Sequence, residues 1–332
     1  MRIQLLIADS DQDYSEHLSR VLAEKYADVF EVSTCSGSRQ LAELLKHRRF
    51  EAALLSPDLV RGMDLSAVCL PLELWDGAAQ DWVEGAEGIR KFQRISTLAS
   101  EIMERCAEIA PVGKNPSGIR AKITAAWSPA GGVGTTTVAL AYAAQRISQG
   151  RKTAYLDLEP FSSVPAFFAN GGKSISTVFE KLDGRAELLL QGIRQEDAES
   201  GICYFRRPDN YEDISILSGE DVTRLAEAAA SGIDELVVDL GSSYDVRSAA
   251  ILELADAVLL VVDGSQLCKT KWEQFRSQHN LYEKIYGKSV LVANKGARGD
   301  ASQAAALVSF PVVRSGDPTA VYKTLSAGYF AG

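Results

Sequence analysis

A glycine-rich turn between a predicted strand and a predicted helix constrains this chain more than any other feature. Residues 119–137 read IRAKITAAWSPAGGVGTTT, an apolar run followed by Gly131, Gly132 and Gly134, and the helical pattern then continues to Gly150. In such a turn backbone N–H groups converge beside the positive end of a helix. The stretch therefore predicts a cradle for phosphate.

The lysine of an ordinary phosphate-binding loop is missing from this stretch. In the pattern G-x-x-x-x-G-K-[ST] that lysine reaches the β- and γ-phosphates of a nucleotide. Here three threonines follow the last glycine. We expect the loop to contact ATP or ADP with Mg²⁺, and the open question is whether it also supports hydrolysis. The expected contacts are Gly131, Gly132, Val133, Gly134, Thr135, Thr136 and Thr137.

Composition narrows the class of protein. With 332 residues and 46% hydrophobic content the chain is long enough for two packed domains. Its 35 basic against 44 acidic residues give a net charge of -9, which disfavours nucleic-acid and anionic-membrane partners. The five cysteines are isolated, as in a reducing cytosol, and Asp9 interrupts the short apolar run at the N-terminus. These features predict a cytoplasmic protein without membrane insertion.

Strand and helix patterns alternate along the chain, which predicts an α/β fold made of two doubly wound parallel-sheet domains. We place the first domain at residues 1–110, a linker containing proline and glycine at 111–120, and the second domain at 121–332. The segment 60–90 is acidic and irregular, and no strand is predicted there. The predicted strands of the two domains are 2–8, 30–34, 50–55, 152–158, 235–240, 257–262 and 289–293, beside the one that precedes the glycine turn.

Polar residues at the ends of the later strands are candidate site residues. Asp157 and Glu159 would orient an attacking water, which makes Asp157 the candidate catalytic group. Asp239 would hold Mg²⁺ through water together with Thr136, and Asn294 would contact an adenine edge. Each of them alone is typical of a solvated strand end or turn cap. Together around one glycine loop they favour a nucleotide site, because ligands bind at the carboxyl ends of parallel strands.

The first domain resembles the receiver domain of two-component response regulators. Asp9 and Asp11 stand where that family binds Mg²⁺, and Lys91, followed by Phe92, stands near its Lys-Pro-Phe. The third strand ends in LLSPD, which puts Ser56 at the place of the phosphoacceptor aspartate and Asp58 two residues later. A serine hydroxyl is a poor nucleophile without an adjacent base. We expect a pseudo-receiver that is not phosphorylated on aspartate.

The second domain resembles the MinD/ParA class of P-loop ATPases, whose deviant loop reads K-G-G-x-G-K-[ST]-[ST]. In this resemblance Ala130 stands at the signature lysine and Thr135 at the second lysine. Thr136 matches the Mg²⁺-binding hydroxyl, and Asp157 and Asp239 match acids that follow strands. Both lysines are therefore absent. By analogy with the loss of one preorganised donor, each absence costs about 10²–10³ in rate, so hydrolysis is expected to be lost. Candidates to substitute for the lysines are Arg146, Lys152, Arg247 and Lys269.

The pairing of these two domains resembles the CpaE/TadZ proteins. The resemblance implies a dimeric localisation factor that recruits the machinery assembling Flp (Tad) type pili, at a membrane-associated assembly or a cell pole. Two alternatives stay open. One is a working Min/Par ATPase switch with nucleotide-dependent dimerisation, and the other is a pseudo-response-regulator signalling module.

Overall fold

The computed structural model describes residues 2–27, 29–77, 85–109, 120–182, 186–300, 302 and 304–327, with the backbone alone at residue 108. The contacts divide the chain into two compact units, Met1–Ser117 and Gly118–Gly332. Most of the predicted linker, residues 111–119, lies outside the described residues. In the described part of the chain, no helix combines the length and the apolar character needed to cross a membrane.

The first unit contains one five-stranded parallel sheet with the strand order β2-β1-β3-β4-β5. This is the flavodoxin-like order, in which ligands bind beyond the carboxyl ends of the central strands. The strands are β1 (Ile3–Ala8), β2 (Phe30–Cys35), β3 (Phe50–Leu55), β4 (Val68–Trp75) and β5 (Glu87–Arg90). The helices are α1 (Gln12–Lys25), α2 (Ser38–His47), α3 (Pro57–Val60) and α4 (Ile95–Ile109).

The prediction of no strand between residues 60 and 90 is wrong, because β4 and β5 lie there. Pro71 interrupts the pattern of β4, and the fully buried Glu73 adds a charge to it. Proline in a central strand removes a ladder donor, so its presence argues against a strand in any sequence-based reading.

The second unit contains an eight-stranded sheet with the order β13-β12-β11-β6-β10-β7-β9-β8, parallel except for the pair β8 and β9. The predicted fold class, two doubly wound parallel-sheet domains, is confirmed. The strands are β6 (Lys122–Trp127), β7 (Thr153–Asp157), β8 (Gln195–Glu196), β9 (Cys203–Tyr204), β10 (Glu235–Asp239), β11 (Ala257–Val262), β12 (Ser289–Ala293) and β13 (Ala306–Ser309).

Helices of the second unit are α5 (Thr135–Ser148), α6 (Ala186–Ile193), α7 (Tyr211–Ser215), α8 (Gly219–Ala229), α9 (Val246–Leu254), α10 (Gln266–Ser277), α11 (His279–Tyr286) and α12 (Pro318–Ser326). Two short 3-10 helices lie at Val164–Ala166 and Ile175–Lys181. Helix α5 is buried over six consecutive residues from Val138 to Ala143. A helix that is apolar all round belongs to the core, so α5 is a central element of this unit.

A buried carboxylate fixes α5 to the amino end of the sheet. Glu235, the first residue of β10, accepts hydrogen bonds from Thr124 Oγ1 at 2.7 Å, Tyr142 Oη at 2.6 Å and Arg146 Nε at 2.8 Å. Glu235 is 2% exposed, and a buried charge is tolerated when ion pairs and hydrogen bonds satisfy it. The far end of α5 is thereby anchored, which leaves its first turn at the carboxyl edge of the sheet.

Candidate functional site

The glycine turn joins the central strand β6 to the first turn of α5. Gly132 and Gly134 adopt the left-handed conformation with φ of 76° and 94°. Gly134 is the N-cap of α5, and Thr135, Thr136 and Thr137 form the first turn of the helix. The first N–H groups of a helix have no partner within it, so this turn presents donors and a positive dipole end to an anion.

Two residues that follow β12 hold this turn from one side. Asn294 Nδ2 donates to the Val133 carbonyl at 2.9 Å, and Lys295 Nζ donates to the Gly132 carbonyl at 2.5 Å. A Cβ on Gly134 would lie 2.5 Å from Asn294 Nδ2, so only glycine fits there. The Asn294 amide therefore contacts the loop itself, while its predicted contact with adenine stays a prediction.

Three carboxylates meet beside the turn. Asp157 and Asp239 are the last residues of β7 and β10 and are paired in register, so their side chains leave neighbouring strands at the same level. Glu159 joins them, and one oxygen from each of the three residues lies within 4.8 Å of the others. Carboxylate oxygens are ligands that Mg²⁺ prefers. The donor set fits a divalent cation, which would be held by this cluster and by the hydroxyl of Thr136, a residue that lowers the pKa of Asp239.

Burial raises the pKa of these acids. Burial, followed by the charge of Asp239, raises the pKa of Asp157 from 3.8 to about 7 and that of Glu159 from 4.5 to about 7. Burial also raises the pKa of Asp239, against hydrogen bonds from Thr136, the Gly241 amide and Tyr155 that lower it. Three acids in one site cannot all be ionised at low energetic cost. Binding of protons or of a cation therefore stabilises the cluster.

Hydrogen bonds hold the two strand-end acids in place. Asp239 is fully buried and accepts from the Gly241 amide at 3.0 Å and from Tyr155 Oη at 2.9 Å. Asp157 accepts from the Glu159 amide at 2.8 Å and from Ser162 Oγ at 2.7 Å. Carboxylates held in this way are preorganised at the edge where the glycine turn lies.

The two positions that carry lysines in the deviant loop are buried in this chain. Ala130 is 3% exposed, and its amide donates to Ser128 Oγ at 3.1 Å. Thr135 is 7% exposed at the start of α5. Neither side chain brings a positive charge to the turn, so the backbone and the helix dipole supply the attraction for an anion.

Charged side chains also meet in the first unit, at the carboxyl end of β1. Lys91, directly after β5, places Nζ 2.7 Å from Asp9 Oδ2 and 3.4 Å from Asp11 Oδ2. The rings of Tyr14 and Phe92 flank the same ammonium, with their centroids 4.7 and 5.0 Å from Nζ. The three charged residues of the receiver pattern are thus in contact, and the lysine is the cation that neutralises the buried Asp9.

Ser56 follows β3 and donates a hydrogen bond to the carboxylate of Asp58. The sequence reading placed Asp58 two residues too late to matter, yet its side chain reaches back to the serine. Ser56 is the N-cap of α3 and is buried. The side chain of Ser56 makes no capping hydrogen bond, so the local role of the pair rests on Asp58 as an acid in the first turn of a short helix.

The structure thus gathers the residues of the glycine turn with Asp157, Asp239 and Asn294 at one edge of the second sheet. Sequence reasoning missed Lys295 and Tyr155 as neighbours of this site. The sequence could have indicated Lys295, because a polar Asn-Lys pair directly follows an apolar strand. Tyr155 has none, because an aromatic residue inside a buried strand is expected in any core.

The second unit is an α/β domain, with a glycine turn that carries no lysine at the carboxyl edge of its sheet. No family model matches the sequence, and no curated protein matches it. Among solved structures, a ParA family ATPase from Chlorobium tepidum is similar at 20% identity, with 62% of this chain and 91% of that chain covered and a TM-score of 0.49.

Two archaeal proteins are also similar. The cell division ATPase MinD from Pyrococcus furiosus matches at 15% identity, covering 62% of this chain and 97% of its own, with a TM-score of 0.45. The septum site-determining protein MinD from Pyrococcus horikoshii, complexed with Mg-ADP, matches at 13% identity with 62% and 94% covered and a TM-score of 0.45.

Proposed function

We propose that this chain is a localisation scaffold of the CpaE/TadZ kind, which binds a nucleotide without turning it over. One observation carries the proposal. The glycine turn leads into the first turn of α5 with Gly134 as its N-cap, while Ala130 and Thr135 are buried at the positions of both lysines. In this proposal the turn supplies the phosphate cradle and Thr136 and Asp239 supply the metal ligands, whereas the loop lacks the cations that stabilise a phosphoryl-transfer transition state.

Nucleotide binding rests on the backbone N–H groups of the turn and on Mg²⁺ held by Thr136 and Asp239. Titration calorimetry of the full chain with ATP and with ADP, each with Mg²⁺, tests it. We expect binding that weakens in Thr136→Ala but not in Thr223→Ala, because the Thr223 hydroxyl bonds only within its own helix, to the Gly219 carbonyl. If millimolar nucleotide gives no binding heat and does not compete with another nucleotide, the glycine turn has a structural role only.

Hydrolysis is tested separately. Loss of two cations at about 10²–10³ in rate each leaves little catalysis. We expect no sustained phosphate release from the purified chain. Release that disappears in Asp239→Ala would instead support the alternative of a working ATPase switch, for which the cluster Asp157, Glu159 and Asp239 supplies the acids.

Homodimerisation is the third part of the proposal. The segments after β7 and β10 leave large apolar side chains in solvent, with Phe161 82% exposed, Tyr244 51% and Val246, the first residue of α9, 69%. The Phe161 ring stacks on Tyr211 with centroids 5.6 Å apart. Exposed large apolar side chains of this kind are candidates for a protein interface. Phe161 and Tyr244 come shortly after the strands that end in Asp157 and Asp239.

Light scattering after size exclusion separates the scaffold from the switch. We expect a dimer both with and without nucleotide for the scaffold, and a dimer only with ATP for the switch. Phe161→Ser should yield a monomer, whereas Ile216→Ser, an equally exposed apolar residue after α7, serves as the control for solubility.

Recruitment of pilus or secretion machinery rests on the pairing of the receiver-like and P-loop units. Deleting the gene should abolish assembled pili in the source cell. Restoration of pili by Asp157→Asn, which removes the candidate catalytic acid and leaves Thr136 and Asp239 in place, would favour the scaffold, and failure of that variant, expressed as a folded protein, to restore them would favour the switch. Assembled pili in the deletion strain would refute the proposed role.

A further inference from the structure

Lys295 stands out at the P-loop because its side chain brings a positive charge to a turn whose own sequence has none. Its Nζ lies 2.5 Å from the Gly132 carbonyl oxygen and 3.6 Å from Asp263 Oδ2. Asp263 directly follows β11 and Lys295 follows Asn294 after β12. The ammonium therefore connects the ends of two strands to the loop after a third.

The backbone of Lys295 adopts a strained conformation. Its φ is 54°, in the left-handed region that lysine rarely adopts. Such a conformation persists only where the surroundings compensate for it, and it is common at functional sites. The next residue, Gly296, donates its amide to the Phe310 carbonyl at 2.9 Å, which fixes the turn.

The contacts of Lys295 and Asn294 determine where two loop amides point. In a trans peptide the carbonyl and the following N–H point in opposite directions. Lys295 holds the Gly132 carbonyl, so the Val133 N–H points away from it. Asn294 holds the Val133 carbonyl at 2.9 Å, so the Gly134 N–H likewise points away. Two consecutive donors are thus presented on the side opposite to these two residues, as an anion-binding nest requires.

Two of the residues considered as substitutes for the missing lysines are bound to other groups, and a third lies at the other edge of the sheet. Arg146 is bound to Glu235 at the amino end of the sheet, and Arg247 is bound to Asp245 and to the Ile214 carbonyl. Lys152 precedes β7 and so lies at the edge opposite to Asp157, and Lys269 is exposed on α10.

We propose that Lys295 is a positioning residue of the P-loop, which fixes the N–H groups of Val133 and Gly134 for the phosphates of a nucleoside di- or triphosphate through the Gly132 carbonyl. The inference rests on the proposed nucleotide site. Lys295 acts through the loop, so its ammonium orients peptide groups and does not touch the phosphates.

Calorimetry with Mg-ADP tests the effect on affinity. We expect Lys295→Met to weaken binding about 10-fold or more, since it removes a hydrogen bond from a charged donor. Lys295→Arg should recover most of the affinity, because a guanidinium also donates to a carbonyl. Lys284→Met makes the same change of net charge on the exposed face of α11 and should leave the affinity unchanged. Equal affinity of Lys295→Met and the unchanged chain would overturn the inference.

Amide hydrogen exchange in the ligand-free full chain keeps this inference separate from the proposed function. Lys295→Met should speed exchange at Val133 and Gly134, whereas Lys295→Arg and Lys284→Met should not. If the unchanged chain binds no nucleotide, the proposed function fails and the exchange result alone decides the role of Lys295. If nucleotide binds but exchange is the same in all variants, the positioning role is refuted while the nucleotide site stands.

Discussion

The Tyr155 hydroxyl donates a hydrogen bond of 2.9 Å to Asp239 Oδ2 within the fully buried interior of the second unit. Burial, then the neighbouring charge of Asp239, raises the pKa of this phenol well above its ordinary value of 10.0, so it remains a donor at any physiological pH. The tyrosine thus stabilises the ionised form of an acid that burial disfavours.

Tyr155→Phe removes this donor and should raise the pKa of Asp239 further. We expect a loss of unfolding free energy of about 1.5–3 kcal/mol that is larger at pH 8 than at pH 5, because a higher pH favours the ionised carboxylate of Asp239. Urea denaturation at both pH values measures it. Tyr286→Phe is the control, because that exposed hydroxyl bonds only to the Ser302 carbonyl at 3.3 Å. A loss that is equal at both pH values would contradict the role of Tyr155 in stabilising the charge.

The acid cluster predicts a pH dependence of stability. Asp157 has a folded pKa of about 7 against an ordinary 3.8, so the native state keeps a proton that the unfolded chain releases. Stability from this group is complete below its unfolded pKa and falls as the pH rises toward its folded pKa. The slope is about 1.4 kcal/mol per pH unit for each such proton.

Asp157→Asn removes that titration. Thermal unfolding of both chains from pH 5 to pH 8 should show the variant gaining stability relative to the unchanged chain as the pH rises. Mg²⁺ at pH 8 should raise the midpoint of the unchanged chain more than that of the variant. Parallel curves would indicate that Asp157 titrates alike in the folded and unfolded states.

The ion pair of Lys91 with the buried Asp9 predicts that removing this lysine costs much more stability than removing an exposed one. Lys91→Met would leave Asp9, which is 1% exposed, without its cation, and we expect a loss of about 3–5 kcal/mol. Asp9→Asn combined with Lys91→Met should recover much of it. Lys46→Met breaks an exposed pair with Glu43 and should cost about 0.5 kcal/mol or less. Chemical denaturation of the full chain tests all three, and similar losses for the two lysine variants would contradict the buried pairing.

Gly134 should tolerate no side chain. Alanine there would be strained at φ 94° and would also meet Asn294 Nδ2 at 2.5 Å. We expect Gly134→Ala to cost about 3 kcal/mol or more in unfolding free energy. Gly150→Ala, at φ 80° with open space around its Cβ, carries the strain alone and should cost about 1–2 kcal/mol. Equal losses would mean that the Asn294 contact gives way freely.

The sequence was most informative where buried parallel strands carry apolar runs that end in acids. Such runs located β1, β3, β7 and β10, and their ends located Asp9, Asp157 and Asp239 before any coordinates. Asp157 and Asp239 come together because β7 and β10 are neighbouring parallel strands whose last residues are paired in register.

The features of the fold and of the site that the sequence did not predict depend on strand pairing, side-chain contacts and local backbone conformation. Pro71 made β4 hard to predict. Proline lacks the N–H that a strand hydrogen-bonded on both sides uses, yet β4 lies between β3 and β5. The contact of Lys295 with Gly132 spans 163 positions and depends on a left-handed φ that no local pattern announces. The reach of Asp58 back to Ser56 depends on a short helix that begins at Pro57.

The anchoring of α5 by Glu235 has a thermodynamic consequence. Arg146, Tyr142 and Thr124 order the far half of the helix when the domain folds, whether or not an anion is present at the turn. A phosphate arriving at the first turn meets donors already in place, so its association costs little conformational entropy of the protein. Binding at such a preformed polar site buries little new apolar surface, and its heat-capacity change should accordingly be small.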